Sequence, residues 1–283
     1  MLTRESVLRR AAFGDAPDID DREPAAAANP PERWLAAVVL GARGGYAAAM
    51  TLLEPLRRGR DPLLAALAAA TLASHRRQLG GHAAAVPLDG AALRHAALAA
   101  GPADEDGLDP AGALADALLG LAADNLGRGR LTAARRLIAA ASAHATSWRT
   151  RVRLGWVSAE VSLAAADAAA AVPHAERAWA VARERGAARH EIKSALVLGA
   201  ALAATGEPAP RERARDLVEG ALEATGKYRL GSLAWPAGLL AAELDPERAD
   251  WNRSRVTREL YALLPASDPE GRRLAISSPW VPI

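Results

Sequence analysis

Some residues of this chain have the types and near-spacing of catalytic or metal-binding groups. His190-Glu191 opens like a zinc-binding helix, but position 194, where a second imidazole should follow one turn later, holds Ser194. Gly220 to Lys227 resembles a phosphate loop. It has five residues between its glycines where four are needed, and Tyr228 where a hydroxyl for magnesium should stand, so Gly226 reads better as a helix C-cap. The acidic run Asp104-Glu105-Asp106-Gly107-Leu108-Asp109 lacks the alternating ligands and distal glutamate of a calcium loop and reads as solvated linker. His75 and His82 straddle a glycine turn, which separates them from any shared helical face unless hairpin packing reunites them. There is no cysteine, hence no thiolate nucleophile or disulfide. No catalytic residue, metal or cofactor is assigned, and the expectation is that the protein is not an enzyme.

Two stripes could bind a partner instead. Arg149, Arg153, Trp156 and Glu160 recur at three- and four-residue steps, so one helix would carry them along one face. A tryptophan flanked by arginines is the composition of an interface anchor. His190, Ser194 and Val197 form a comparable stripe, with Lys193 beside it. The competing reading puts Trp156 in the core between helices and leaves the charges on a solvated face. Both stay open.

The elements that must position these stripes follow from composition. Alanine supplies 73 of the 283 residues and the chain is 51% hydrophobic, so much of its apolar content is methyl groups. Alanine is the best helix former and lets backbones approach closely, which predicts an all-α protein of thin, closely packed helices. Asn29-Pro30-Pro31-Glu32 and the pairs Asp61-Pro62, Asp109-Pro110, Asp245-Pro246 and Asp268-Pro269 are helix starts: a side-chain oxygen for the orphan amides, and proline where its missing N–H does no harm. Glycine breaks at 44–45, 80–81 and 127–129 separate helices, the first two 36 residues apart. A period of that size is the mark of a helical-hairpin array. The predicted pairs are 32–43 with 45–58, 61–79 with 82–100, 110–126 with 130–145, 147–166 with 168–185, 187–205 with 209–225, and 229–244 with 247–264. Pro87 would mark a late start near Asp89, Pro173 a start near Ala170, and Pro55 fits no helix reading.

The pattern resembles the tetratricopeptide (TPR) repeat: a small residue at the turn, then Tyr46, His82 or Leu131, then Ala49, Ala85 or Ala134 near the crossing. Residues 187–244 are similar to the repeat region of bacterial LuxR-type and SARP-type transcription regulators, without their ATPase or recognisable DNA-binding domains. The resemblance implies a right-handed superhelical α-solenoid of about six antiparallel helix pairs, whose first helices line a concave groove. The expected domains are a short N-terminal helix with flexible linker (1–31), the TPR-like domain (32–264), and a tail (265–283), with Trp280 between two prolines, that caps the last pair.

Lys and Arg number 35 against 33 Asp and Glu, a net charge of +2 that argues against a nucleic-acid partner. The N-terminal residues lack the apolar stretch of a secretory signal, and the longest apolar run, 195–204, is half of what a membrane span needs. A cytoplasmic setting is expected. The expected function is a non-enzymatic scaffold that binds a protein or peptide partner through Arg149, Arg153, Trp156, Glu160, His190, Lys193 and Ser194. The alternative is a regulatory module whose groove senses a small-molecule ligand or a peptide.

Overall fold

A computed structural model describes residues 3–283, and all regular structure among them is helical. The helices are α1 (Arg4–Phe13), α2 (Arg22–Ala25), α3 (Pro30–Ala42), α4 (Tyr46–Arg57), α5 (Pro62–Gln78), α6 (His82–Ala96), α7 (Pro110–Gly127), α8 (Leu131–Ser142), α9 (Trp148–Ala164), α10 (Ala168–Glu184), α11 (Ala188–Ala203), α12 (Pro208–Lys227), α13 (Gly231–Leu244), α14 (Ala249–Leu263) and α15 (Pro269–Ser277). No helix among the described residues is long and apolar enough to cross a membrane.

The predicted start signals act as the physics requires. Asn29 accepts from the Glu32 amide at 2.9 Å while Glu32 reaches back to the Ala28 amide at 2.9 Å, and Asp61, Asp109 and Asp268 each accept from first-turn amides. Asp245 starts only a single 3-10 turn, Pro246–Arg248, before α14. Gly44 and Gly80 sit at φ +89° and +74°, the left-handed geometry their turns need. The late start expected near Asp89 is corrected: α6 runs from His82 through Pro87. α10 begins at Ala168, within two residues of the start expected near Ala170, and carries Pro173 in its second turn. Pro55 is accommodated inside α4, two residues before its end, at the cost of the hydrogen bond that an N–H there would have donated to the Thr51 carbonyl.

From α3 to α14 every helix packs on its successor. The alternate helices α3, α5, α7, α9, α11 and α13 also touch in that order, so they form an inner wall with the others outside it. The wall returns on itself end to end: Leu230 and Leu233 at the start of α13 pack with Ala42 at the end of α3, and a Cβ on Gly231 would stand 2.8 Å from the Arg43 carbonyl oxygen. The same seam is tied by Ala47 N–H donating to the Ala266 carbonyl at 2.8 Å.

Both termini close this wall. Residues 15–31, expected as a flexible linker, are instead bonded across the seam. Asp21 pairs with both Arg43 and Arg229, and Arg43 also donates to the Pro17 and Ile19 carbonyls. The tail after α14 lays α15 on α5, with Arg76 Nη1 2.6 Å from Asp268 in a buried pair. Ala275 and Val281 join Tyr46, Leu79, Val256, Leu260 and Leu263 in one buried cluster, so the tail covers the junction of the first and last pairs.

Candidate functional site

All six inner helices contribute side chains to one cavity of about 540 Å³. α1 reaches one side of it with Phe13, whose ring lies 5.9 Å from Trp34 and 6.1 Å from His190, with the Arg149 guanidinium 5.5 Å above. Trp280 and Val281 of the tail border it elsewhere, and Trp280 keeps 60% exposure.

The two stripes singled out from the sequence meet on this wall. Arg149, Arg153, Trp156 and Glu160 from α9 and His190 and Lys193 from α11 all line the cavity. Lys193 Nζ lies 2.9 Å from Glu160, and the Trp156 ring stacks on His190 at 5.5 Å and 19°. Ser194 stands behind them, fully buried, and accepts a hydrogen bond from Trp156 Nε1 at 2.7 Å. Ser194→Ala would leave that indole N–H without its acceptor, at a cost of about 1–3 kcal/mol. A lower urea midpoint with unchanged slope is the expected measurement.

Arg149 is more brace than contact. It is 4% exposed, and its guanidinium bonds Asp116 at 2.8 Å, the Asp106 carbonyl at 2.6 Å and the Gly107 carbonyl at 3.1 Å. Arg153 shares the same Asp116 at 2.5 Å. The run 104–109, expected as solvated linker, is corrected by the same contacts: Asp106 and Asp109 are buried, Trp148 Nε1 donates to Asp106 at 2.8 Å, and Arg9 of α1 pairs with Asp104 at 2.8 Å. Its carboxylates find cationic and N–H partners from α1 and α9, distant in sequence, so the loop folds inward.

Sequence reasoning missed Arg77 and Arg189. Arg189, Lys193, Leu196 and Ala200 form a helical stripe that lines the cavity, one residue away from the stripe inferred from His190. Arg77 donates to Asp89 and to Asp124 Oδ1 at 3.0 Å, so one guanidinium lies between two fully buried carboxylates. Burial, with the Asp124 charge added, outweighs Arg77 and pushes the Asp89 carboxyl up to about 7; burial raises Asp124 as well. Burial also pushes His75 down to about 3 and His190 well below the usual imidazole range, aided in both by the Arg189 charge, while His82 is lowered by burial and Arg77. The three rings are therefore neutral at pH 7. Arg189, lowered to about 10 by burial, keeps its charge.

Buried polar atoms normally find partners. Among the described residues, ten carry a buried side-chain polar atom with no partner in the protein, and six of the ten line this cavity: His75, His82, Arg189, His190, Ser232 and Trp235. No group of three or more His, Asp or Glu among the described residues is arranged to hold a metal ion. The wall thus gathers polar side chains short of partners, cations and aromatic faces around one space, which suits recognition. No protein-family model matches the chain, and no curated protein matches it.

Proposed function

We propose that the protein is a regulatory module that binds one small molecule in the bore of its helical array. The observation that carries this reading is the concentration of residues with unpartnered buried polar atoms around a single cavity. A volume of about 540 Å³ falls within the range of small-ligand pockets. Ligand contacts would reach several helices at once, so binding would shift the packing between neighbouring pairs, and through it the affinity for a partner. The TPR-like, superhelical reading of the array and a cytoplasmic setting are part of this proposal. A peptide or partner protein is the second reading. It uses the same α9 and α11 residues and is supported by the exposed Trp280 beside the cavity, which could meet an inserted chain end.

A thermal-shift screen of metabolites against the full chain tests the proposal. A ligand present at a hundred times its Kd is expected to stabilise by about 2.7 kcal/mol. If no small molecule raises the melting temperature while a protein captured at one-to-one stoichiometry does, the second reading replaces the first.

A further inference from the structure

We infer that the ligand is an organic anion, a carboxylate or similar oxyanion on an apolar, planar body, and that Arg189 is the residue that selects its charge. The inference rests on the cavity being a ligand site. Arg189 stands on the cavity wall in the first turn of α11, makes no hydrogen bond or ion pair with any described residue, and has a buried Nε without a partner among them. The ionisable groups acting on it most strongly are Tyr46, Arg153 and Arg149, and none is a carboxylate. A cation in the first turn of a helix also faces the positive end of the backbone dipole, and the first-turn acid Glu191 lies against Arg183 of α10 instead. A half-buried guanidinium in that position, with its Nε buried and no carboxylate bonded to it, is left to take an anion from outside the chain.

The balance of charge around it points the same way. Among the described residues, Arg77, Arg149, Arg153, Arg189 and Lys193 line the cavity against the acids Asp116 and Glu160. Lys193 and Glu160 neutralise each other, Arg149 and Arg153 divide one carboxylate, and Arg77 is held by Asp89 and Asp124 behind the wall. An anion entering here meets the surplus of Arg153 and Arg189 together. The rest of the wall supplies the apolar body's surroundings, since Phe13, Trp34, Trp156, Trp235 and Trp280 present aromatic surface to the same space.

The test compares 2-naphthoate with its neutral analogue 2-naphthylmethanol on the full chain, read by tryptophan fluorescence and by melting temperature. Wild type is expected to prefer naphthoate at least tenfold. Arg189→Met should lose that preference while its affinity for the neutral probe changes less than threefold, and Arg189→Lys should retain part of it. The ligand-free Arg189→Met protein should melt higher than wild type, because a half-buried charge without a bonded counter-ion is gone. Equal affinity of wild type for the two probes, survival of the preference in Arg189→Met, or a lower melting temperature of that variant would each overturn the inference while leaving the cavity reading intact. Binding of neither probe also overturns it, and the metabolite screen then decides the cavity reading separately.

Discussion

Asp116→Ala is expected to destabilise the protein by about 3–5 kcal/mol, the cost of leaving a buried cation without its partner. Asp116 is 3% exposed and holds both Arg149, through two bonds at 2.8 and 3.2 Å, and Arg153. Its removal leaves two guanidinium groups side by side in the cavity wall. Arg149 would keep its carbonyl acceptors, but those were made with the carboxylate offsetting its charge. For a chain of this size the melting temperature should fall by roughly 10 °C. Asp116→Asn retains the shape and an acceptor and should lose less. A change under about 1 kcal/mol for the alanine variant would show that the arginines find solvent or another carboxylate, contrary to their burial.

Arg77→Met should produce a loss of similar size that depends on pH. In wild type, Asp89 has a folded pKa raised to about 7 against 3.8 for the free group. A raised carboxyl pKa means that the folded state binds its proton more tightly, so this contribution is full below pH 4 and is lost as pH rises through about 7. The histidines act oppositely: their folded pKa values are lowered, so they penalise the fold as pH drops below about 6.5. Removing Arg77 takes away the attraction that opposes burial at Asp89 and Asp124, and both carboxyls shift further up. The variant should therefore lose about 3–5 kcal/mol at pH 8 and clearly less at pH 5, where protonation relieves the pair. Asp89→Asn should remove the falling contribution of that carboxyl, so that its stability relative to wild type rises between pH 5 and 8. Melting temperatures of the three proteins across that interval decide the matter, and an Arg77→Met penalty equal at both ends would refute the coupled arrangement.

Much of the helical order could be read from local signals, because the chemistry that starts and stops helices is local. Asn29 and the Asp-Pro pairs mark where α3, α5, α7 and α15 begin, and Gly44 and Gly80 mark turns between helices. The Arg149–Glu160 stripe also survives as one wall, since helical spacing fixes which side chains share a face. What escaped sequence reading depends on partners far along the chain. Residues 15–31 have the composition of a linker, and only the positions of Arg43 and Arg229 turn Asp21 into a clasp. Arg189 was passed over for its neighbour His190, although both line the cavity. One signal could have been used: Asp116 and Asp124 are the only acids in the apolar α7, eight residues apart on one face, and an acid so placed implies a buried cation.

The end-to-end meeting of α3 and α13 also sets how this molecule comes together. Contacts between successive helices span few residues and can zip from any point, whereas Arg229 must find Asp21 from 208 residues away and Asp268 must find Arg76 from 192. Loops of that length close late, after local pairs have formed. The seam is then the last junction to lock and the first to part, so backbone amides along it exchange with solvent sooner than those of α7 and α9. An opening there is expected to widen access to the cavity, which Ser232 and Leu233 of α13 border beside the seam.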